Sequence, residues 1–554
     1  MLTGHAKAPM PATSCARALA LLAAALCAPA SGGASPAPAG AAPCALARSL
    51  GDSMVLQHSR AVVHGFASPG AAVNVSLDGA PVGSATAAAG SGLWRVALPP
   101  TPPSLAPRAI DVACSTGERL ALRDVLFGHV LLNAGQSNAC FTVEQALNAS
   151  AEAADSARLG AGLRVATVAH EQADAPAPDL PGGLMQPWAR VAPAALLGGN
   201  FSFFSAVGYF AARGIFEALG AREPVGVITS CVSGTPIQAW SGPGAAAACA
   251  RTPPPAGQLG YGVLYNAMVA PFTAGPTGFS QILWTQGENN ADQPDYFACA
   301  LPALIADWRL RLAQPALPFA FYLLAPWVKS GSNLTALPLT RLAQLHNATS
   351  LANVGVAPAH DLGDPGTPWP GHPRLKQAVG ARFAAVALAG AAFNRSDASG
   401  PWLAPRFESS ALSADGRSVT ISFAASGLAS ACGGRLELNA SVACPTASGV
   451  PAAVCEAFAV QDAAGAWVAS AADGSGAGPL AVALGADGAS LVLTLPASSP
   501  APARASRAFF SDWPVVTLRN CAGLPALPWL EPADAGGERR RDFAGGLRRG
   551  LTGN

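Results

Sequence analysis

Charge is what this chain has least of: only 12% of its 554 residues are Asp, Glu, Lys or Arg, 33 basic against 32 acidic. A formal net charge of +1 provides no basic surface for phosphate neutralisation, so no nucleic-acid partner is expected. Long apolar runs are missing too. The eleven residues from Ala18 to Ala28 are the nearest approach, well short of the roughly twenty that a span requires, and no membrane span is expected. No CxxC pair or His/Cys cluster has zinc-like spacing, so neither a metal nor an organic cofactor is called for. The Gly-X-Ser-X-Gly elbow is absent as well, which argues against a lipase.

What is present begins with an address. Lys7 and Arg17 precede the Ala18–Ala28 stretch, and the small residues Ala28, Ala30 and Ser31 suit cleavage. Residues 1–30 therefore read as a secretory signal and 31–45, rich in Ala, Pro and Gly, as a disordered linker. Removing the signal takes Cys15 and Cys27 with it and leaves ten cysteines, an even number suited to disulfides. A local loop among Cys432, Cys444 and Cys455 is the expected short bridge. Seven Asn-X-Ser/Thr triplets, at Asn74, Asn148, Asn200, Asn333, Asn347, Asn394 and Asn439, agree with the same compartment. The expected location is the secretory pathway, ending extracellularly or in a lysosome- or vacuole-like lumen; the sequence ends without an ER-retention signal.

A chain of this length exceeds one core, and its patterning changes along the way. From 46 to 125, short alternating runs such as Ala72-Val73-Asn74-Val75-Ser76-Leu77, punctuated by Ser68-Pro69-Gly70 and Asp78-Gly79, predict an N-terminal β domain. From 126 to 395, apolar strands (126–133, 225–229, 281–285, 318–324, 354–359) alternate with helical stretches (204–219, 296–312, 373–389). That alternation predicts an α/β fold, a mostly parallel sheet with flanking helices whose ligands bind beyond the carboxyl ends of the strands. Alternation returns from 400 to 530 as a C-terminal β domain, and the Arg-rich tail 531–554 is expected to be a frayed, solvated end.

Three polar loops follow three of those strands. The first carries Gly135-Gln136-Ser137-Asn138, which places a serine where a buried strand turns into a helix. Such a turn holds a hydroxyl rigidly, and the helix N-terminus stabilises negative charge beside it. The second runs from Ser230 to Trp240 and includes Gly234; the third reads Thr285-Gln286-Gly287-Glu288-Asn289-Asn290. A glycine N–H and an amide side chain are the parts of an oxyanion hole, each donor typically worth on the order of 3 kcal/mol. Downstream, His372-Pro373 opens a helix and offers a general base for the serine.

In this order the chain resembles a known family, the sialate O-acetylesterases, which are SGNH-type serine esterases. Asp52-Ser53-Met54-Val55-Leu56-Gln57 with Val63-His64-Gly65-Phe66 resembles the family's opening, and Gly92-Leu93-Trp94 the end of its first β segment. Gly135 to Asn138, Ser233 to Trp240, Leu264 to Pro271, Trp284 to Glu288 and His372 to Lys376 then follow in the family's order. The resemblance implies an SGNH-hydrolase-like catalytic domain that removes O-acetyl groups from sugars, classically the 9-position acetyl of sialic acid, with an O-acetylated carbohydrate as substrate. It makes Ser137 the nucleophile, His372 the base, and Gly234 with Gln286 or Asn289 the oxyanion donors. The orienting acid stays open among Glu288, Asp364 and Asp361, because Trp369 stands three residues before the histidine and Pro370 follows it.

Each assignment has a structural counterpart. Ser137 can serve as an N-cap, His372 can cap the following helix, and Glu288 can brace its own loop. Trp240, Trp284 and Trp369 can stack on a sugar or fill the core, with core expected for Trp284. Lys376 and Arg382 are expected on a solvated helix face. Two rival functions share the pattern: an acetylxylan or other polysaccharide deacetylase, which differs only in the sugar, and a non-catalytic carbohydrate-binding glycoprotein. The second is opposed by the retention of serine, histidine and all three loops together. The oligomeric state is not encoded legibly. For an ordinary imidazole, with a pKa of about 6.5, turnover is expected to fall below about pH 6.

Overall fold

The structure is a computed structural model that describes residues 43–250, 259–275, 277–328, 336–390, 393, 403–428, 433–439, 441–471 and 479–533. The expected signal, most of the linker, the tail after residue 533, Cys432, Asn333 and Asn394 lie outside the described residues, whereas Glu531 and Pro532, expected in the frayed tail, belong to the strand Trp529–Pro532. None of the described helices is long and apolar enough to cross a membrane.

The molecule is organised by one strand, β1 (Arg119–Gly135), and its sequence explains why. Arg119 to Asp124 alternates exposed and more buried residues, as a half-exposed strand does, whereas Val125 to Gly135 is buried throughout. The first half pairs antiparallel with Ser104–Cys114 (Ile110 opposite Leu122), which in turn pairs with Ala72–Leu77. The second half is the centre of a mostly parallel sheet. The boundary expected at 125/126 thus falls inside a continuous strand, and β strands of the N-terminal region share one eleven-stranded sheet with the core.

That sheet contains β2 (Leu163–Val168), β3 (Leu184–Arg190), β4 (Val225–Cys231), β5 (Gln281–Thr285), β6 (Phe319–Leu323) and β7 (Val354–Pro358). Their order is β3-β2-β4-β1-β5-β6-β7, parallel except for the β3 edge. Such a sheet needs cover on both faces. On one, Trp284 of β5 meets Trp240 and Trp308 edge-on, with ring centroids 6.0 and 5.5 Å away, and all three indoles are buried. Trp308 belongs to α3 (Pro294–Arg311), one of five helices used below with α1 (Ser137–Cys140), α2 (Ala206–Ala218), α4 (Ala336–Ala348) and α5 (Lys376–Ala389). On the other face α2 and α5 pack together, and Gly380 lies so close to Phe210 that a Cβ there would come within 2.3 Å of it.

Beyond the core, two four-stranded antiparallel sheets lie in the C-terminal region, one built on Ser418–Phe423 and one on Phe458–Gln461. Trp529 is buried among Phe407, Phe423, Phe458 and Phe509. Its link to the core is apolar at Leu345 with Leu527 and at Leu342 with Phe510, and polar at the fully buried Arg341 of α4, which donates to Leu324 O and Ala325 O on one side and to Ser511 O and Asp512 O on the other. Four disulfides, Cys44–Cys114, Cys140–Cys231, Cys249–Cys299 and Cys444–Cys455, join described residues, and the last closes the short loop expected from sequence.

The strand ends meet at Gly135. Its φ of +139° is open to glycine, and a Cβ there would sit 2.0 Å from Thr285 O at the end of β5. Gly135→Ala is therefore expected to cost roughly 3 kcal/mol or more, by forced backbone separation and strain together. Urea unfolding of the variant measures this; a loss under about 1 kcal/mol contradicts the close approach.

Candidate active site

The first loop leaves β1 at Gly135, and Gln136 N donates to Thr285 O at 2.9 Å. Ser137 then opens α1, a single turn whose residues are all buried. The last residue of α1, Cys140, is bridged to Cys231 at the end of β4, so the serine turn is fixed covalently to the second loop. Gln136 supplies the next tie: its Oε1 accepts from Gly287 N at 3.4 Å and Asn289 N at 3.2 Å, clamping the third loop.

Ser137 Oγ lies 2.6 Å from His372 Nε2, although 235 residues separate them. The other ring nitrogen, Nδ1, is 2.9 Å from Pro370 O. A carbonyl oxygen only accepts, so in the neutral imidazole Nδ1 carries the proton and Nε2 is left to accept from the serine hydroxyl. Phe201 stands edge-on to the imidazole at 5.1 Å, and Phe141 and Trp369 complete an aromatic wall. Burial is the main cause that lowers the His372 pKa to about 4, and the Lys376 ammonium adds to it.

The expected acids are elsewhere. Asp364 accepts from Arg374 Nε at 2.7 Å, Nη2 at 2.9 Å and the Arg374 backbone at 3.0 Å, and that side-chain pairing holds its carboxyl below the usual range. It staples the ends of the loop that carries His372 rather than the imidazole. Asp361 is bound by Arg382 at 2.6 and 2.8 Å and by Arg519 at 3.0 Å. Glu288 is buried and accepts from Asn138 at 2.5 Å. Among the described residues no carboxylate bonds to the ring, and the third position is filled by the backbone of Pro370, for which a sequence carries no side-chain signal.

The donors divide. Gln286 Nε2 spends both protons inside the protein, on Thr235 O at 3.3 Å and Asn290 Oδ1 at 2.7 Å, so it does not face the serine. Asn290 is the hub, accepting also from Ile237 N at 2.8 Å. Gly234 has φ +71° and nothing within 4 Å of where a Cβ would be, so its backbone borders open space. Asn289 is half-buried and gives one Nδ2 proton to Gly234 O at 2.9 Å, which leaves the other available. Trp240 and Trp284 are core, and Trp369 is half-buried in the aromatic wall.

Two expectations about α5 are reversed. The helix begins at Lys376, and His372 lies in the preceding loop rather than at its cap. Lys376 is fully buried, not solvated, and Arg382 is committed to Asp361. Among the described residues one grouping, Cys140, Cys231 and His170, has ligand atoms as close together as a metal would require, but the two sulfurs are joined to each other. No thiolate is on offer there.

A cleft of about 330 Å³ opens against His372. Its walls are Trp327, Asp364 and Pro370 from the core and Ser448 to Pro451 with Trp513 from the C-terminal region.

A hydroxyl and an imidazole paired at the carboxyl ends of a parallel sheet, with helices on both faces, is the architecture of SGNH-type carbohydrate esterases. Residues 201–387 match the family described as carbohydrate esterase, sialic acid-specific acetylesterase. Proteins named sialate O-acetylesterase from Rattus norvegicus and Homo sapiens are each 31% identical to this chain, over 389 and 371 residues; the alignments cover 60% of this chain and 70% and 68% of theirs. The crystal structure of a carbohydrate acetylesterase from Xanthomonas citri superposes with a TM-score of 0.72 at 26% identity, covering 88% of this chain and 99% of that one. The chain belongs to the sialate O-acetylesterase family and is a carboxylic ester hydrolase.

The lowered pKa of His372 sets a sign. An imidazole that protonates only near pH 4 remains neutral well below pH 6, so an acid limb governed by His372 would lie lower than one expected from an ordinary imidazole. The pH–rate profile of p-nitrophenyl acetate hydrolysis should retain more than about half its plateau at pH 5.5. An acid limb centred near 6.5 contradicts this environment.

Proposed function

We propose that this protein is a secretory-pathway serine esterase that removes O-acetyl groups from sugars through an acetyl-serine intermediate. The observation that carries the reading is the 2.6 Å contact of Ser137 Oγ with His372 Nε2 in the tautomer fixed by Pro370 O. Ser137 Oγ attacks the acetyl carbonyl carbon as its proton passes to Nε2, a step in which a positioned base contributes roughly 10²- to 10⁴-fold. The oxyanion is met by the backbone N–H groups of Ser137 and Gly234 and by Asn289 Nδ2. The carbon–oxygen bond to the sugar breaks, and the leaving oxygen takes the proton back from Nε2. Water then gives a proton to Nε2 and attacks the acetyl carbon, and acetate departs as Ser137 is restored.

The sugar occupies the cleft beside His372, where Trp327 and Trp513 offer flat apolar faces; its size falls within the ordinary range of small-ligand sites, roughly 300–1,000 Å³. An O-acetylated sialic acid is the substrate suggested by the names of the relatives. One observation favours a second reading, a neutral acetylated polysaccharide: among the described residues the cleft lining includes no Lys or Arg, and Arg374 behind it is already paired with Asp364. An anionic sugar would meet no counter-charge there. A luminal or extracellular setting is supported by the four disulfides and by a base that stays neutral in acid.

Hydrolysis of p-nitrophenyl acetate by the purified protein should fall at least about 10³-fold in Ser137→Ala. Equal rates for the two proteins sink the reading. With a panel of O-acetylated sialic acids and acetylated xylo-oligosaccharides, Trp513→Ala should raise KM for the accepted sugar roughly fivefold or more. An unchanged KM removes the cleft from substrate binding.

A further inference from the structure

Three residues belong to the chain's motif segments yet take no part in the chemistry above: Asn138 beside the serine, Glu288 in the third loop, and Lys376 four residues after the histidine. All three are buried, at 0%, 9% and 0% exposure. Separated by up to 238 positions in sequence, they form one chain of hydrogen bonds. Lys376 Nζ donates to Asn138 Oδ1 at 2.6 Å; Asn138 Nδ2 donates to Glu288 Oε1 at 2.5 Å and to Gly371 O at 3.0 Å.

The last of these bonds matters most. Asn138 adjoins Ser137 and Gly371 adjoins His372, so the Asn138–Gly371 bond runs beside the Ser137–His372 bond, one residue removed on each side. An amide has two protons to give, and Asn138 spends both while its oxygen takes one from Lys376. Its rotamer is therefore fixed by three segments at once. We propose that Lys376, Asn138 and Glu288 act as a positioning relay that holds the His372 loop against the helix carrying Ser137. The relay supplies the orientation that a carboxylate on Nδ1 gives in a Ser-His-Asp triad. The proposal rests on the esterase reading of the same site.

The electrostatics add a second role. The groups facing Lys376 are Asn138, Glu288, Asp364 and the face of the Phe141 ring, 4.5 Å from Nζ. Those facing His372 are Ser137 on α1, the ring of Phe201, the carbonyls of Pro370 and Trp369, and Lys376. No negative group bonds to the imidazole among the described residues, so the ammonium acts on it uncompensated and disfavours a second positive charge. Burial pushes Lys376 down to about 7 and the Glu288 carboxyl up. Through the acid range the lysine remains charged, which is where its effect on His372 is felt.

The test uses the full chain and two readouts. Asn138→Ala, with the near-isosteric Asn138→Leu as a second variant, removes the grip: kcat for p-nitrophenyl acetate should fall roughly 10- to 100-fold with KM changed less than about threefold. Lys376→Met, or Lys376→Gln should the first not fold, removes the charge. Histidine ¹³Cε1 resonances, with His372 assigned by His372→Gln, should then show the His372 midpoint rising by about one pH unit. A folded Asn138 variant with kcat within twofold of the parent overturns the relay, and so does an unmoved His372 midpoint. The titration needs no substrate, so a parent protein without Ser137-dependent turnover refutes the esterase reading separately.

Discussion

The site depends on how closely the ends of three strands approach one another. At Gly135 the backbone of β1 lies against Thr285 O of β5, and Val232 N, just past β4, donates to Gly135 O at 3.1 Å. No side chain fits between these segments, so the loops that leave them begin in contact. Gln136 turns that contact into a clamp, because its amide oxygen bonds two backbone N–H groups of the third loop while the next residue presents the hydroxyl. The Cys140–Cys231 bridge closes the arrangement one helical turn later. Preorganisation here is a property of backbone geometry, with side chains added to it.

A protein with so little charge uses several of its charged groups internally. Arg164, Arg309, Arg341, Lys376, Asp307 and Glu288 are all buried. A buried guanidinium is stabilising only when its donors are satisfied, and Arg341 meets that condition with four carbonyls from two regions. Arg519 reaches across the same junction to Asp361, and His360 Nε2 lies 2.9 Å from Ala526 O. The C-terminal region is thereby locked in register with the core, which is what allows Trp513 and Ser448 to Pro451 to serve as one wall of the cleft beside His372.

Much of this was readable from residues alone, and the reason is local. β5 has the bounds its apolar run predicts, and the three loops converge because parallel strands deliver their carboxyl ends to one side of a sheet. Pairing choices were not readable. Asp364 is near His372 in sequence, but Arg374, ten residues on, occupies it; Asp361 likewise belongs to Arg382 and Arg519. Lys376 and Arg382 looked solvated because charge on a helix usually is, yet their partners lie up to 238 residues away. Gln286 suggested an oxyanion donor by type, but its protons are consumed by Thr235 and Asn290. β1 hid its double role because its change of pattern, from charged at Arg119, Arg123 and Asp124 to mostly apolar after Val125, resembles a domain border.

The substitution of a peptide carbonyl for a carboxylate changes what the imidazole is. Pro370 O fixes the tautomer as well as an acid would, since either acceptor requires the proton on Nδ1. It brings no full negative charge to balance an imidazolium, and Lys376 adds charge of the wrong sign. Burial does most to lower the pKa of the imidazole, and the Lys376 charge adds to it. On a Brønsted scale a weaker base abstracts a proton less readily, so the arrangement trades some rate at neutral pH for a larger unprotonated fraction in acid. At pH 5 an imidazole of ordinary pKa 6.5 is mostly protonated, whereas one lowered to about 4 is mostly neutral. A histidine of that kind keeps its unprotonated form further into acid than an ordinary one does.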